Sequence, residues 1–141
     1  MRINEHRISG DERGLLIAIE GERQVPFVIK RVFYIYGNNE NIPRGNHSHF
    51  KTKQYLISIA GSCKVTLDDG KGNKVTYDLD KPNKGLFQDS LIWGTMHDFS
   101  KDNILLVIAN EQYNKDDYIT NYKDFLDAVN TNNAVNIDLN F

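Results

Sequence analysis

The 141-residue chain carries 17 basic and 19 acidic side chains for a net charge of -2 with both signs interspersed, so no basic field recommends nucleic acid or an anionic membrane as partner. Its length suits one domain with a real core and is short for two. The single cysteine, Cys63, excludes an intramolecular disulfide and any multi-cysteine metal site, and its apolar-alternating surroundings make it a small core residue. No apolar run approaches the roughly 20 residues of a membrane span, and the amino terminus lacks the apolar core of a signal peptide, so a cytoplasmic protein is expected.

Turn and strand signals alternate along most of the chain. Asp11-Glu12-Arg13-Gly14 marks a turn before the apolar run Leu15 to Glu20, and Pro26 opens a second run, Phe27 to Tyr36, rich in β-branched and aromatic residues. A polar loop, Gly37 to Pro43, leads into Arg44-Gly45-Asn46-His47-Ser48-His49, and Tyr55 to Ala60 then closes at Gly61. Ser62 to Leu67 and Lys74 to Leu79 flank Asp68-Asp69-Gly70-Lys71-Gly72-Asn73, the strongest hairpin signal in the sequence. Short strands are expected at Leu86-Phe87, Leu91 to Trp93, Met96 to Phe99 and Ile104 to Ala109. Turns at this spacing predict an all-β barrel or sandwich. After residue 110 the pattern changes: Tyr118, Ile119, Tyr122, Phe125, Leu126 and Val129 recur at helical spacing, predicting one amphipathic helix over residues 117 to 129. A single domain over residues 1 to 130 is expected, followed by a loose Asn-rich tail. Val135, Ile137, Leu139 and Phe141 alternate there, as an added edge strand would.

Two of the four histidines, His47 and His49, lie two residues apart. On a strand, such residues point to the same face, so both imidazoles project into whatever cavity that face lines. His47-x-His49, then Gln54 and Gly61, resembles the first motif of the cupin superfamily, and Trp93-Gly94-Thr95-Met96-His97 resembles the second. The resemblance implies a double-stranded β-helix, a jelly-roll barrel, with His47, His49, Gln54 and His97 gathered inside it. One departure stands out: cupins commonly have a carboxylate where this chain has Gln54, and a neutral amide is a poor ligand for divalent cations.

Further strings narrow the resemblance. Asp11-Glu12-Arg13-Gly14, Ile29 to Tyr36, Pro43 to His49, Leu67 to Gly70, Met96 to Ser100 and Asp117-Tyr118-Ile119 are similar to those of the dTDP-4-keto-6-deoxyglucose 3,4-ketoisomerases, the WxcM-like cupins. Asp-x-Arg-Gly and Arg-Gly-x-His also resemble the dTDP-sugar 3,5-epimerases. Members of both groups act on 4-keto sugar nucleotides without a metal, so the resemblance implies no cofactor. It also implies a dTDP-linked 4-keto-6-deoxy sugar as substrate and a homodimer with exchanged amino-terminal strands. Downstream it implies an aminotransferase that makes an amino deoxysugar for a surface polysaccharide.

Moving a carbonyl from C4 to C3 requires removal of the C3 proton, made acidic by the adjacent ketone, and return of a proton to C4 of the enediol. Histidine titrates in the range this needs. By the family's pattern His49 is the principal base and His47 its partner, as acid or as the group that polarises the enolate oxygen. Tyr34 and Tyr36, two apart on one strand face, are candidates to place a phenol by the sugar. Arg13, Arg31 and Arg44 are candidates to hold the diphosphate. Glu20, by analogy with the epimerases, is a candidate acceptor from the thymine, and Trp93 or Phe27 can supply its slot. His97 is expected to line the pocket or the core. If the amino-terminal strand crosses to a partner, Arg13 and Glu20 serve the neighbour's site. Two other readings use the same residues. A metal-dependent cupin oxygenase would arrange His47, His49, His97 and Gln54 around Fe(II), leaving the Arg-Gly motifs idle; a non-catalytic cupin would only bind the sugar.

Overall fold

Two five-stranded antiparallel sheets enclose the core of a jelly-roll barrel in the computed structural model, which describes residues 2–138, with side-chain environments through residue 132. The strands are β1 (Arg2–Glu5), β2 (Ser9–Asp11), β3 (Gly14–Leu16), β4 (Arg31–Tyr36), β5 (Arg44–His49) and β6 (Gln54–Ala60), then β7 (Cys63–Asp68), β8 (Lys74–Leu79), β9 (Lys84–Gln88), β10 (Trp93–His97), β11 (Ile104–Ala109) and β12 (Tyr118–Ile119). One sheet has the order β1-β9-β6-β11-β4, the other β12-β5-β10-β7-β8, and β2-β3 forms a separate hairpin. Helix α1 (Tyr122–Asp138) follows. No helix among the described residues is long and apolar enough to cross a membrane.

Period-two alternation sorts each strand into an inner and an outer set. Ile35, Leu56, Val65, Leu67, Leu79, Leu86, Leu105 and Val107 point inward from both sheets and form the main core. The outer set of the first sheet is also covered: Tyr55, Ile57 and Ile108 pack against Val25 and Phe27, with Ile19 and Ile29 beside them. The segment between β3 and β4 therefore forms an irregular arm laid across the back of the sheet. This corrects two expectations. The run Phe27 to Tyr36 is a strand only from Arg31, because its first residues cover a sheet rather than extend one; Leu15 to Glu20 is a strand only to Leu16. Leu15 and Leu16 stand 80% and 62% exposed, so this apolar pair is not buried by its own chain.

The hairpin signal is borne out, with Asp68 opposite Lys74. Asp69 carries the turn, its carboxylate accepting from the N–H groups of Lys71 (2.7 Å) and Asn73 (3.2 Å). Gly70 is required twice over: its φ is +72°, and a Cβ there would lie 3.0 Å from the Phe125 ring of α1. The two strands expected at Leu91 to Trp93 and Met96 to Phe99 are one, β10. Near the carboxy terminus the periodicity straddles three elements: a 3-10 turn (Lys115–Asp117), strand β12, which pairs with β5, and α1, which starts at Tyr122 rather than 117. Asn121 accepts from the N–H of Asp124 and caps the helix there. The helix runs through Asp138, so Val135 and Ile137 lie in helix rather than edge strand. Leu139 and Phe141 lie outside the described residues. Phe125 and Val129 seat α1 beside Trp93 and Leu91 on the back of the second sheet.

Candidate active site

The histidine strand β5 is built around a bulge. Gly45 and Asn46 both adopt left-handed backbone (φ 85° and 54°), and the register against β10 slips there, between Gly94 and Thr95. In a regular strand, residues 44 and 47 would face opposite ways; the bulge lets Arg44 share the inner face with His47. Gly45 is needed at this point because a Cβ would come within 2.9 Å of the Gly94 carbonyl oxygen.

The inner faces of β4, β5, β6, β10, β11 and β12 line a cavity of about 170 Å³. Arg44, His47, Gln54 and Tyr118 are its polar lining, and Phe33, Ile35, Met96 and Val107 are apolar. His49 lies behind His47, only 3% exposed; the two rings meet edge to face with centroids 5.0 Å apart and planes at 88°. Tyr118 leans on both, 4.4 Å from the His49 ring and 5.2 Å from that of His47.

Burial sets the protonation of this pair. The imidazole of His49 is pushed down to about 4, chiefly by desolvation, with the His47 and Arg31 charges adding to the effect and Asp117 opposing it. His47 is lowered as well, again chiefly by burial, against a backbone hydrogen bond to Gly45. Both rings are therefore neutral near pH 7, as a proton acceptor must be. Among the described residues, Nε2 of His49 is buried with no hydrogen-bond partner. An orphaned buried nitrogen is costly to keep, and such groups are found where function uses them.

The connection that follows His49 is held by Asp117. Its backbone carbonyl accepts from Phe50 N–H (3.0 Å), one carboxylate oxygen from Lys51 N–H (2.8 Å), and the other from Thr52 N–H (3.0 Å). On the other side, Leu91 N–H donates to the His49 carbonyl (2.8 Å), and Leu91 takes a left-handed φ of 57° to do so.

The remaining expectations divide. Arg31, at the start of β4, is half-buried, its guanidinium over the rings of Phe33 (5.3 Å) and Tyr113 (5.9 Å), with Nε buried and unpartnered among the described residues. Tyr34 and Tyr36 do not reach the cavity: alternation sends Phe33 and Ile35 inward and leaves the two phenols stacked on each other outside, 6.2 Å apart. His97 is also outside. It ends β10 on the face shared with Trp93 and Thr95, where Nε2 meets the Thr66 hydroxyl (2.7 Å) and Nδ1 the Asp98 carboxylate (3.0 Å). Trp93 packs between Tyr122 and Phe125 under α1, and Phe27 is buried in the arm layer near Phe87. Arg13 is exposed and paired with Asp11 on the β2-β3 turn, and Glu20 is exposed on the arm beside Arg23; neither lines this cavity. No role for Tyr118 or Asp117 follows from the sequence, although Asp117-Tyr118-Ile119 is one of the strings similar to those of the ketoisomerases. Helical periodicity concealed that Tyr118 lies opposite His49 in a β-ladder. Among the described residues no three His, Cys, Asp or Glu side chains cluster as a metal site would require.

The fold and site define a class: a cupin barrel whose cavity presents a neutral histidine pair with an amide and a guanidinium, and a phenol beside them. A family model, FdtA (WxcM-like, C-terminal), matches residues 1–130, and the chain belongs to that family. It is 45% identical over 116 residues to the TDP-4-oxo-6-deoxy-alpha-D-glucose-3,4-oxoisomerase of Aneurinibacillus thermoaerophilus, covering 82% of each chain. Its structure is similar to that of a 3,4-ketoisomerase from Helicobacter canadensis, with a TM-score of 0.88 and 42% identity, covering 92% of this chain and 96% of that one. A similar match, with a TM-score of 0.88 and 37% identity, covers 92% of this chain and 94% of a histidine-to-asparagine mutant of QdtA. QdtA is the 3,4-ketoisomerase of Thermoanaerobacterium thermosaccharolyticum, and that mutant is in complex with TDP-4-keto-6-deoxyglucose.

Proposed function

We propose that this chain is a sugar-nucleotide 3,4-ketoisomerase that converts dTDP-4-keto-6-deoxyglucose into a dTDP-3-keto-6-deoxyhexose. The observation that carries the reading is the neutral pair of His47, in the cavity wall, and His49 behind it, with Nε2 of His49 unpartnered among the described residues. One imidazole of the pair takes the C3 proton while the other stands by the developing enolate oxygen, His47 being the ring that lines the cavity, and the proton held on the pair returns to C4. Gln54 is 7% exposed in the cavity wall and hydrogen-bonds the sugar. Arg44 and Arg31 take the diphosphate.

The enzyme acts in the cytoplasm as a homodimer. Three features support the dimer: the exposed Leu15 and Leu16 on β3, the edge position of β4 among the described strands with Val32, Tyr34 and Tyr36 outward, and the placing of Arg13 and Glu20 outside the lining of this chain's cavity. In the dimer, Arg13 and Glu20 serve the partner's site. The metal-oxygenase reading loses its third imidazole, because His97 lies on the opposite face of β10 from the cavity.

The test is incubation with dTDP-4-keto-6-deoxyglucose in D2O, read by proton NMR. Wash-out of the C3 proton together with a 3-keto product supports the isomerase. Tight binding with neither change leaves a sugar-binding cupin.

A further inference from the structure

The two walls of the cavity differ in chemistry. At about 170 Å³ the chamber is smaller than the roughly 300–1,000 Å³ of pockets that hold drug-sized ligands, so of a dTDP-hexose it takes the sugar and leaves the nucleotide at the mouth. The sheet that carries β5 supplies Arg44, His47 and Tyr118, with Met96 from β10. The sheet facing it supplies Phe33 and Ile35 from β4, Val107 from β11, and one polar residue, Gln54 from β6. Phe33 and Val107 stand opposite each other in the β4-β11 ladder, and Gln54 pairs with Ala109, the next residue of β11 on the same face as Val107. An amide and an apolar pair therefore lie side by side on this wall.

A 4-keto-6-deoxyhexose is divided in the same way. C1 to C4 each bear an oxygen and C5 bears the ring oxygen, whereas C6 is a methyl. With the C3–C4 bond turned to the histidines, the ring points the C1 diphosphate away from them, with the C2 hydroxyl on one flank and the C6 methyl on the other. Arg44 at the mouth meets the diphosphate and Gln54 the hydroxyl flank. The flank that remains is apolar: Phe33 and Val107, with Ile35 and Met96 completing it. A 6-hydroxyl placed there would give up water and find nothing better than the weak thioether acceptor of Met96.

On the reading of this site as a 3,4-ketoisomerase, we propose that Phe33, Ile35, Met96 and Val107 are specificity-determining residues that seat the C6 methyl, so that the chain selects 6-deoxy sugar nucleotides over their 6-hydroxylated counterparts. An apolar seat rejects an added hydroxyl by a factor on the order of 10² at most, so the selection is a preference rather than an exclusion. Ile35 and Val107 also belong to the main core, and Phe33 and Met96 pack against it. A change in overall affinity would not separate recognition from packing; a ratio between two ligands does.

dTDP-6-deoxyglucose and dTDP-glucose differ only at C6, and neither has a ketone to react. By calorimetry the wild-type protein should bind the 6-deoxy ligand more tightly, by a factor on the order of 10 to 10². Val107→Thr keeps the side chain's shape and adds a hydroxyl that can pair with a 6-hydroxyl, so this ratio should fall roughly fivefold or more. Met96→Gln makes the same change at a half-buried site, where the fold depends less on the side chain, and should move the ratio in the same direction. Equal affinity of the wild type for the two ligands, or an unchanged ratio in both variants, overturns the methyl seat and leaves the four residues as core. Failure of the wild-type protein to isomerise dTDP-4-keto-6-deoxyglucose would instead overturn the reading on which the seat rests.

Discussion

Thr52 gives both its backbone N–H, at 3.0 Å, and its hydroxyl, at 2.5 Å, to a single carboxylate oxygen of Asp117. Asp117 is buried, and its charge is what opposes the depression of the His49 pKa. Asp117→Asn substitutes an amide whose NH2 must face a backbone N–H, so a buried donor is left unmatched at a cost of about 1–3 kcal/mol. Two readouts should move together. Urea unfolding should show the lost stability, and the acid limb of kcat/KM should shift to lower pH, because the group that favours the His49 cation has gone. A change in stability alone would make Asp117 a strand anchor with no part in tuning the base.

His49→Asn is expected to reduce turnover on the order of 10²- to 10⁴-fold while leaving folding and dTDP affinity near wild type, since the imidazole supplies proton transfer rather than affinity. His47→Asn should also be strongly impaired. Equal, complete loss in both would mean that the edge-to-face pair acts as one unit. Single-turnover assays and calorimetry on the two variants decide this.

The same histidine makes stability depend on pH. Folded His49 titrates at about 4, below the ordinary 6.5 of the unfolded chain. Between those values the unfolded state binds the proton and the folded state does not, so stability rises with pH through this window and falls as pH drops below 6.5. The difference amounts to at most about 3 kcal/mol at full effect. Denaturant midpoints measured from pH 7 to pH 4.5 should decline less steeply for His49→Asn than for wild type; parallel slopes would assign the decline to other groups.

Arg44 sits at the cavity mouth three residues before His47, brought to the same face by the bulge. Its removal should cost both dTDP affinity and rate, because a bidentate grip on the diphosphate also fixes the sugar over the base. Arg44→Lys keeps the charge without the planar fork and should recover only part of the loss. If Arg44→Ala binds dTDP as wild type does, the diphosphate is held elsewhere and Arg44 only begins a strand.

The parts of the fold that were legible in the sequence are those dictated by local chemistry. The Asp69-to-Asn73 turn, the β11 run and the His47/His49 pairing follow from turn residues and strand alternation, which act within a few residues. What was hidden depends on what each face meets. Tyr34 and Tyr36 were correctly placed on a common face of β4, yet alternation cannot say that the face is the outer one; Phe33 and Ile35 hold the inner one. His97 failed for the same reason, one residue out of phase with Met96. Arg44 was reachable only because Gly45-Asn46 breaks the alternation. The arm bearing Phe27 has a strand's composition because it packs on a sheet, and composition reports burial more directly than hydrogen bonding.

The exposed hairpin at Leu15 and Leu16 has a practical side. Arg13 and Glu20 ride on the same stretch of chain as that pair, so whatever seats the hairpin also delivers them. If a second copy of the chain seats it, specific activity is a property of the solution as well as of the molecule, flat at micromolar enzyme and falling on dilution as the copies separate. A linear dependence of rate on enzyme down to low nanomolar would mean that each barrel carries a whole site of its own.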